Sequence, residues 1–248
     1  MKIAIITGGG RGIGKNTAQN LARRGVGIIL TYNNHPEEAE AVVSGIREEG
    51  GQAAALKLDV TKVKSFEDFA AQVSRILDRQ WGRQTFDYLV NNAGTAQHSL
   101  IKDVTEEQFD ELVQVHFKGV FFLTQRLLPL MADGGHVIFI SSGLTRFTHG
   151  SGVAVYAAVK GAIEVFTKYV AREFAERKIR ANCVAPGALD TDFGGARTDE
   201  QRKAIGEQTL LGRIGRAEDI GPLIAALLSE DSRWVNAQRI EASGGMHL

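Results

Sequence analysis

The chain of 248 residues is 44% hydrophobic and sets 29 Lys and Arg against 29 Asp and Glu. That balance excludes the strong field that draws a protein to nucleic acid or to an anionic membrane, so small molecules are the expected ligands. The lone Cys183 excludes an internal disulfide and reads as an inert core residue, no Cys/His grouping has metal-ligand spacing, and the apolar runs at the N-terminus and at 223–228 are too short for a signal peptide or a membrane span. We therefore expect a cytoplasmic protein, and one domain over 1–248, since no linker, charge block or repeat divides the chain.

The first element is a strand over 3–7 that runs into Thr7-Gly8-Gly9-Gly10-Arg11-Gly12-Ile13-Gly14 and then a helix over 15–24. Glycines permit positive φ and close backbone approach, and the first N–H groups of the helix attract an anion, so this turn reads as a phosphate cradle. Two motifs fit it. Gly8-x3-Gly12-x-Gly14 is a relative of the dinucleotide fingerprint, whereas Gly9-x4-Gly14-Lys15-Asn16 is one residue from a P-loop, with Asn16 where Ser or Thr should hold magnesium.

Strands over 26–32, 53–58, 88–91, 136–140, 181–185 and 239–242 alternate with helices over 36–49, 65–80, 106–131, 155–177 and 217–229. The alternation predicts an α/β protein built on a doubly wound, seven-stranded parallel sheet with helices on both faces. In such a sheet ligands bind at the carboxyl ends of the strands. Asp59-Val60, Asn91-Asn92-Ala93-Gly94, Ser141-Ser142 and Pro186-Gly187 all fall at strand ends, on one rim.

Tyr156 and Lys160 lie four apart in a helical stretch and share a face, about 6 Å apart along the axis. A phenol ordinarily titrates near pH 10 and transfers protons poorly at neutral pH, so a neighbouring ammonium, together with the positive charge on an oxidised nicotinamide, is expected to lower it. Ser142 would position the reacting oxygen.

Taken in order, Thr7-Gly8-x3-Gly12-x-Gly14, Asp59, Asn91-Asn92-Ala93-Gly94, Ser142, Tyr156-x3-Lys160, Pro186-Gly187-x3-Thr191 and Gly244-Gly245 resemble the single-domain short-chain dehydrogenases/reductases over nearly the whole chain. The resemblance implies a Rossmann-type fold, disposes of the P-loop reading, and implies an oxidoreductase that interconverts a ketone or aldehyde with an alcohol by hydride transfer. It implies Tyr156 as general acid/base, Lys160 as the group that lowers its pKa and holds the nicotinamide ribose, and Ser142 as the residue that orients the carbonyl. It further implies that Asp59 and Val60 contact adenine, that Asn92, Ala93 and Gly94 pack on the adenosine ribose, and that Pro186, Gly187 and Thr191 hold the carboxamide. One position departs: His116 stands where the family usually has Asn, whose carbonyl serves a proton relay. That relay is expected to survive, and a near-neutral imidazole would be able to join it.

The second strand ends Thr31-Tyr32-Asn33-Asn34, with no acid between Ile28 and His35 to accept from a ribose 2′-hydroxyl. Arg11 can reach the same corner, so we expect NADP(H) in preference to NAD(H), held by Gly8, Gly10, Arg11, Gly12, Ile13 and Gly14 together with Tyr32, Asn33 and Asn34. The polar stretch 188–213 reads as a lid, with Phe193, Leu210 and Leu211 as covers or anchors. Thr95, Gln97, Leu144, Arg146, His149, Val153 and Phe193 are candidate pocket residues.

A 3-oxoacyl-carrier-protein reductase activity would need a basic landing surface, and residues 125–131 offer only Arg126. A non-catalytic dinucleotide-binding protein would have no need of Ser142, Tyr156 and Lys160. A lyase, dehydratase or isomerase on the same scaffold stays open. The helix that carries Tyr156 has a second apolar stripe, Ala158, Ala162, Val165 and Tyr169, expected to meet another subunit in a homotetramer.

Overall fold

The apolar runs become seven parallel strands: β1 Ile3–Ile6, β2 Gly27–Tyr32, β3 Ala53–Lys57, β4 Phe86–Asn91, β5 Met131–Ile140, β6 Arg180–Pro186 and β7 Arg239–Ala242. They are ordered β3-β2-β1-β4-β5-β6-β7 in one sheet. The protein is seen in a computed structural model that describes residues 1–148, 150–194 and 197–248. The helices are α1 Gly12–Ala22, α2 Pro36–Glu48, α3 Phe66–Trp81, α4 Glu106–Val113, α5 Gly119–Leu127, α6 Ala154–Glu173, α7 Asp199–Gly206 and α8 Ala217–Leu227. None of them is long and apolar enough to cross a membrane.

Successive side chains of a strand point to opposite faces, and β1 feeds both. Ile3 and Ile5 join Phe66, Phe69 and Val73 of α3, Leu123 and Leu127 of α5 and Ile163 and Val170 of α6. Ala4 and Ile6 join Ala18 and Leu21 of α1, Val42, Val43 and Ile46 of α2 and Ile220 and Ile224 of α8. Each fully buried aliphatic or aromatic side chain contributes about 1.5–3 kcal/mol. The sheet is thereby sandwiched between two helical layers, as expected.

The strand order reverses between β1 and β4, which opens a crevice above their carboxyl ends. Side chains close that joint from below. Asn92 N and Ala93 N donate to Thr7 Oγ1 at 2.9 Å each, and Asn92 Nδ2 donates to Thr7 O and Gly8 O at 2.9 and 3.0 Å.

The expected single helix over 106–131 is broken. After α4, Gln114–Lys118 forms one π turn, with Gly119 N donating back to Gln114 O; α5 then ends in a 3-10 turn, Leu128–Leu130. β5 also starts five residues before the expected 136. Gly134 has φ +76°, and the β4/β5 register slips between Phe86 and Tyr88. A bulge marked by glycines carries no strand-like hydrophobic pattern, so it is invisible as strand in the sequence. Within the stretch read as a lid, Thr198 caps α7 by accepting from Gln201 N at 3.3 Å.

Candidate active site

The cradle begins where β1 ends. Gly8 and Gly12 have φ of +64° and +53°, and a Cβ on Gly12 would meet nothing within 4 Å, so its surroundings are open. Arg11 is extended and gives α1 no side-chain cap, which leaves the first N–H groups of the helix facing the crevice. Gly14 serves differently. A Cβ there would lie 2.3 Å from Gly8 O and 2.6 Å from Asn92 Nδ2, so Gly14 lets α1 press against the turn and does not itself line the crevice. Asn16, the residue that spoiled the P-loop match, packs on α8, where a Cβ on Gly221 would fall 2.0 Å from Asn16 Oδ1.

All the other expected cofactor and catalytic residues line one cleft of about 1060 Å3: Gly8, Gly10, Arg11, Gly12, Ile13, Tyr32, Asn33, Asn34, Asp59, Val60, Asn92, Ala93, Gly94, His116, Ser142, Tyr156, Lys160, Pro186, Gly187 and Thr191. Asp59 is folded on itself, its Oδ1 accepting from Thr61 N at 2.9 Å and Thr61 Oγ1 at 2.7 Å. The uncapped helix end, the open glycine turn and the size of the cleft fit a dinucleotide.

At the other end of the cleft, Ser142 accepts from Leu144 N at 3.2 Å and lines the same wall as Tyr156. Lys160 Nζ donates to Ile140 O at 2.7 Å and stands 5.6 Å from the centroid of the Tyr156 ring. Burial pushes the Lys160 ammonium down to about 7. Burial also raises the Tyr156 phenol above its ordinary value, against a smaller downward pull from Ser142. Lys160, tied to a backbone carbonyl, is not among the groups that offset this burial; the expected lowering also counted the positive charge of an oxidised nicotinamide.

His116 also differs from expectation. It lies in the π turn, 1% exposed, and its ring meets that of Tyr156 edge-on at 5.1 Å. Nε2 is 2.7 Å from Thr95 O and 3.3 Å from Thr95 N; the shorter contact is to a carbonyl, which only accepts, so Nε2 carries the hydrogen and Nδ1 is left as a buried acceptor without a partner among the described residues. Burial, then the Lys160 charge, lowers the imidazole to about 3, so it is neutral rather than poised near pH 7.

Of the candidate pocket residues, Thr95, Gln97, Leu144, Val153 and Phe193 line the cleft, and His149 lies outside the described residues. Arg146 turns away: Nε and Nη2 bind Glu241 at 2.6 and 2.7 Å, and Nη2 donates to Met246 O at 2.8 Å. Leu210 and Leu211 are 76% and 72% exposed and abut Gly244 and Gly245 instead of covering the cleft. Sequence reading missed Phe147 and Met246, which line the substrate end, and Glu38, which lines the ribose end.

It also missed Glu164. Its Oε1 accepts from Ser141 Oγ at 2.7 Å, Thr145 Oγ1 at 2.6 Å and Arg239 Nε at 2.8 Å, joining the Ser142 loop, α6 and β7. Its place one turn beyond Lys160 was the available signal. On the outer face of α6, Val165 and Tyr169 are 55% and 61% exposed. Cys183 is buried in β6, which pushes its thiol up to about 11.

A family model described as enoyl-(acyl carrier protein) reductase matches residues 8–247. The hydroxynaphthalene reductase-like protein Arp2 of Metarhizium brunneum is 35% identical over 260 residues, covering 98% of this chain and 94% of that relative. The promiscuous reductase LugOII, which catalyses keto-reduction at C1 during lugdunomycin biosynthesis, superposes with a TM-score of 0.94 at 36% identity, over 100% of this chain and 98% of its own. A short-chain dehydrogenase from Burkholderia cenocepacia J2315, solved in complex with NADP, gives 0.91 at 30% identity over 98% and 97%. With a sheet of this order and matches that span it from end to end, the chain belongs to the short-chain dehydrogenase/reductase family and is an oxidoreductase of the kind that acts on keto and hydroxyl groups.

Proposed function

We propose that the protein is an NADP(H)-dependent reductase of ketones, with Tyr156 as the proton donor. The observation that carries this reading is that Ser142, Tyr156 and Lys160 line one wall of the cleft, with a phenol that burial keeps protonated at neutral pH. Two hydroxyls on one wall suit one carbonyl oxygen, and a protonated phenol suits the reductive direction. Lys160, brought down to about 7, can hand a proton onward near neutrality. A bound reduced nicotinamide supplies the hydride. The cradle, with Arg11 exposed at its lip, would hold the 2′-phosphate end, and Pro186, Gly187 and Thr191 the opposite end.

Phe147, Phe193, Leu144, Val153 and Leu189 make the substrate end apolar and aromatic, and Phe193 lies 6.0 Å from the Tyr156 ring. This supports a ring ketone, in line with the keto-reduction and hydroxynaphthalene reduction named for the relatives. A carrier-protein substrate is disfavoured, since Arg126 is paired with Glu67. The exposed Val165 and Tyr169 are the face a second copy would cover in a cytoplasmic homotetramer, and sedimentation as a monomer would remove that part.

The test is NADPH oxidation followed by absorbance with a panel of ring ketones. In Tyr156→Phe, kcat should fall about a thousandfold while NADPH still binds. Undiminished turnover would overturn the reading.

A further inference from the structure

The NADP(H) reading rests on the lack of an acid at the end of β2, and the fold brings one to that corner from the next element. Glu38, in the first turn of α2, lines the cleft beside Tyr32, Asn33 and Asn34. The turn abuts the cradle: a Cβ on Gly10 would lie 3.6 Å from Glu38 Cβ and 3.3 Å from Ala39 N.

Arg11, His35, Glu38 and Asp59 line this corner with the Tyr32 phenol, and two of these four are already engaged. Asp59 is taken up by Thr61, and His35 Nδ1 stands 3.4 Å from Glu37 Oε1. Arg11 and Glu38 have no ion pair among the described residues, although both line the same wall. A cation and an anion therefore flank the place where the two nicotinamide dinucleotides differ, by a 2′-phosphate or a 2′-hydroxyl.

We propose that Glu38 is a cofactor-specificity residue whose carboxylate opposes Arg11. It repels the dianionic 2′-phosphate and favours the neutral ribose hydroxyl, so it narrows the NADP(H) preference that Arg11 sets. Glu38 is half-buried, which limits screening of its charge by water. The residue is outside the second strand and six places past its end at Tyr32, which is why inspection of the strand end alone misses it.

The experiment is isothermal titration of the protein with NADP+ and with NAD+, in low and in high salt. Glu38→Gln should raise the ratio of NADP+ to NAD+ affinity by about three- to tenfold at low salt, with a smaller change at high salt. Glu37→Gln, which removes the adjacent carboxylate outside the cleft lining, should leave the ratio unchanged. Glu38→Ala should match Glu38→Gln in sign, which guards against an artefact of one variant. An unchanged ratio in Glu38→Gln, or an equal shift in Glu37→Gln, overturns the proposal. Arg11→Ala tests the underlying reading separately: unchanged NADP+ affinity there would sink the NADP(H) preference, while the Glu38 ratio would still be read on its own.

Discussion

The two ends of the cleft are built by different means. The cofactor end is made of backbone: glycines at positive φ, an uncapped helix, and side chains such as Asn92 and Thr7 that bind the main chain of the neighbouring strand. The substrate end is made of side chains from distant parts of the chain, with Glu164 meeting a partner 75 residues on and Arg146 meeting one 100 residues on. The first arrangement constrains which residue types are tolerated at each place. The second constrains only which pairs meet, and so leaves room for different substrates on one cofactor platform.

The sharpest way to break this contrast is Gly14→Ala. The added methyl falls 2.3 Å from Gly8 O, which is main chain and cannot swing aside. We expect a destabilisation of roughly 3 kcal/mol and a loss of most dinucleotide affinity, read by thermal melting and by titration with NADP+. Binding as tight as in the parent would show that the cradle is less rigid than its contacts indicate.

Glu164→Ala probes the other end. Its carboxylate orders the loop that carries Ser142 relative to the helix that carries Tyr156, and a misplacement near 1 Å costs about a hundredfold in rate. The expected result is a fall in kcat of about ten- to a hundredfold with unchanged NADP+ affinity, and partial recovery in Glu164→Gln, which keeps an acceptor for the two hydroxyls. If affinity and kcat fell together, the ends would not be separable.

The same contrast explains what was legible. The glycine turn, the strand ends and Tyr156-x3-Lys160 could be read because each is local or recurs at fixed intervals, and the alternation of strands and helices gave the sheet. The π turn under His116 could not be read, since the apolar spacing of its residues continues that of a helix and only the close fit against Thr95 and Tyr156 distinguishes them. The burial that sets the charges of His116, Lys160 and Tyr156 is likewise a tertiary property. Spacing placed Tyr156 and Lys160 on one face, but it carries no information on how far burial raises the phenol. Glu38 and Met246 were hidden because no motif connects them with the cleft, and Glu164 because its position one turn beyond Lys160 does not reveal the partners it meets.

Acid sharpens the comparison through two histidines, His116 in the π turn beside the cleft and His136 within β5, paired with Asn182 at 2.8 Å. Burial lowers both to about 3, from an unfolded value near 6.5. Because the unfolded chain takes up these protons first, their contribution is whole above 6.5 and is lost as pH falls from there toward 3. Each should cost about 1.4 kcal/mol per pH unit in that window, measurable by urea unfolding. His116→Asn should remove one proton from that slope and leave the pH–rate profile between 6 and 8 unchanged, since a neutral imidazole does not titrate there. A shifted profile would put the imidazole back into proton transfer.

The smallest effect is expected from Arg146→Ala. Its pairing with Glu241 is partly exposed, and such a pair by itself adds little to stability. Arg146 also donates to Met246 O at 2.8 Å, and Met246 is part of the cleft wall next to Phe147. Loss of the guanidinium should therefore loosen the wall more than the fold: KM for a ring ketone should rise about two- to fivefold, KM for NADPH should stay fixed, and Tm should fall by only about 2–4 °C. Arg146→Lys should restore little, because one ammonium cannot bind both Glu241 oxygens and the Met246 carbonyl in the same fork. If KM for NADPH moved as much as KM for the ketone, the C-terminal segment would be supporting the cofactor end as well, and the division of the cleft into a backbone-built half and a side-chain-built half would have to be redrawn at β7.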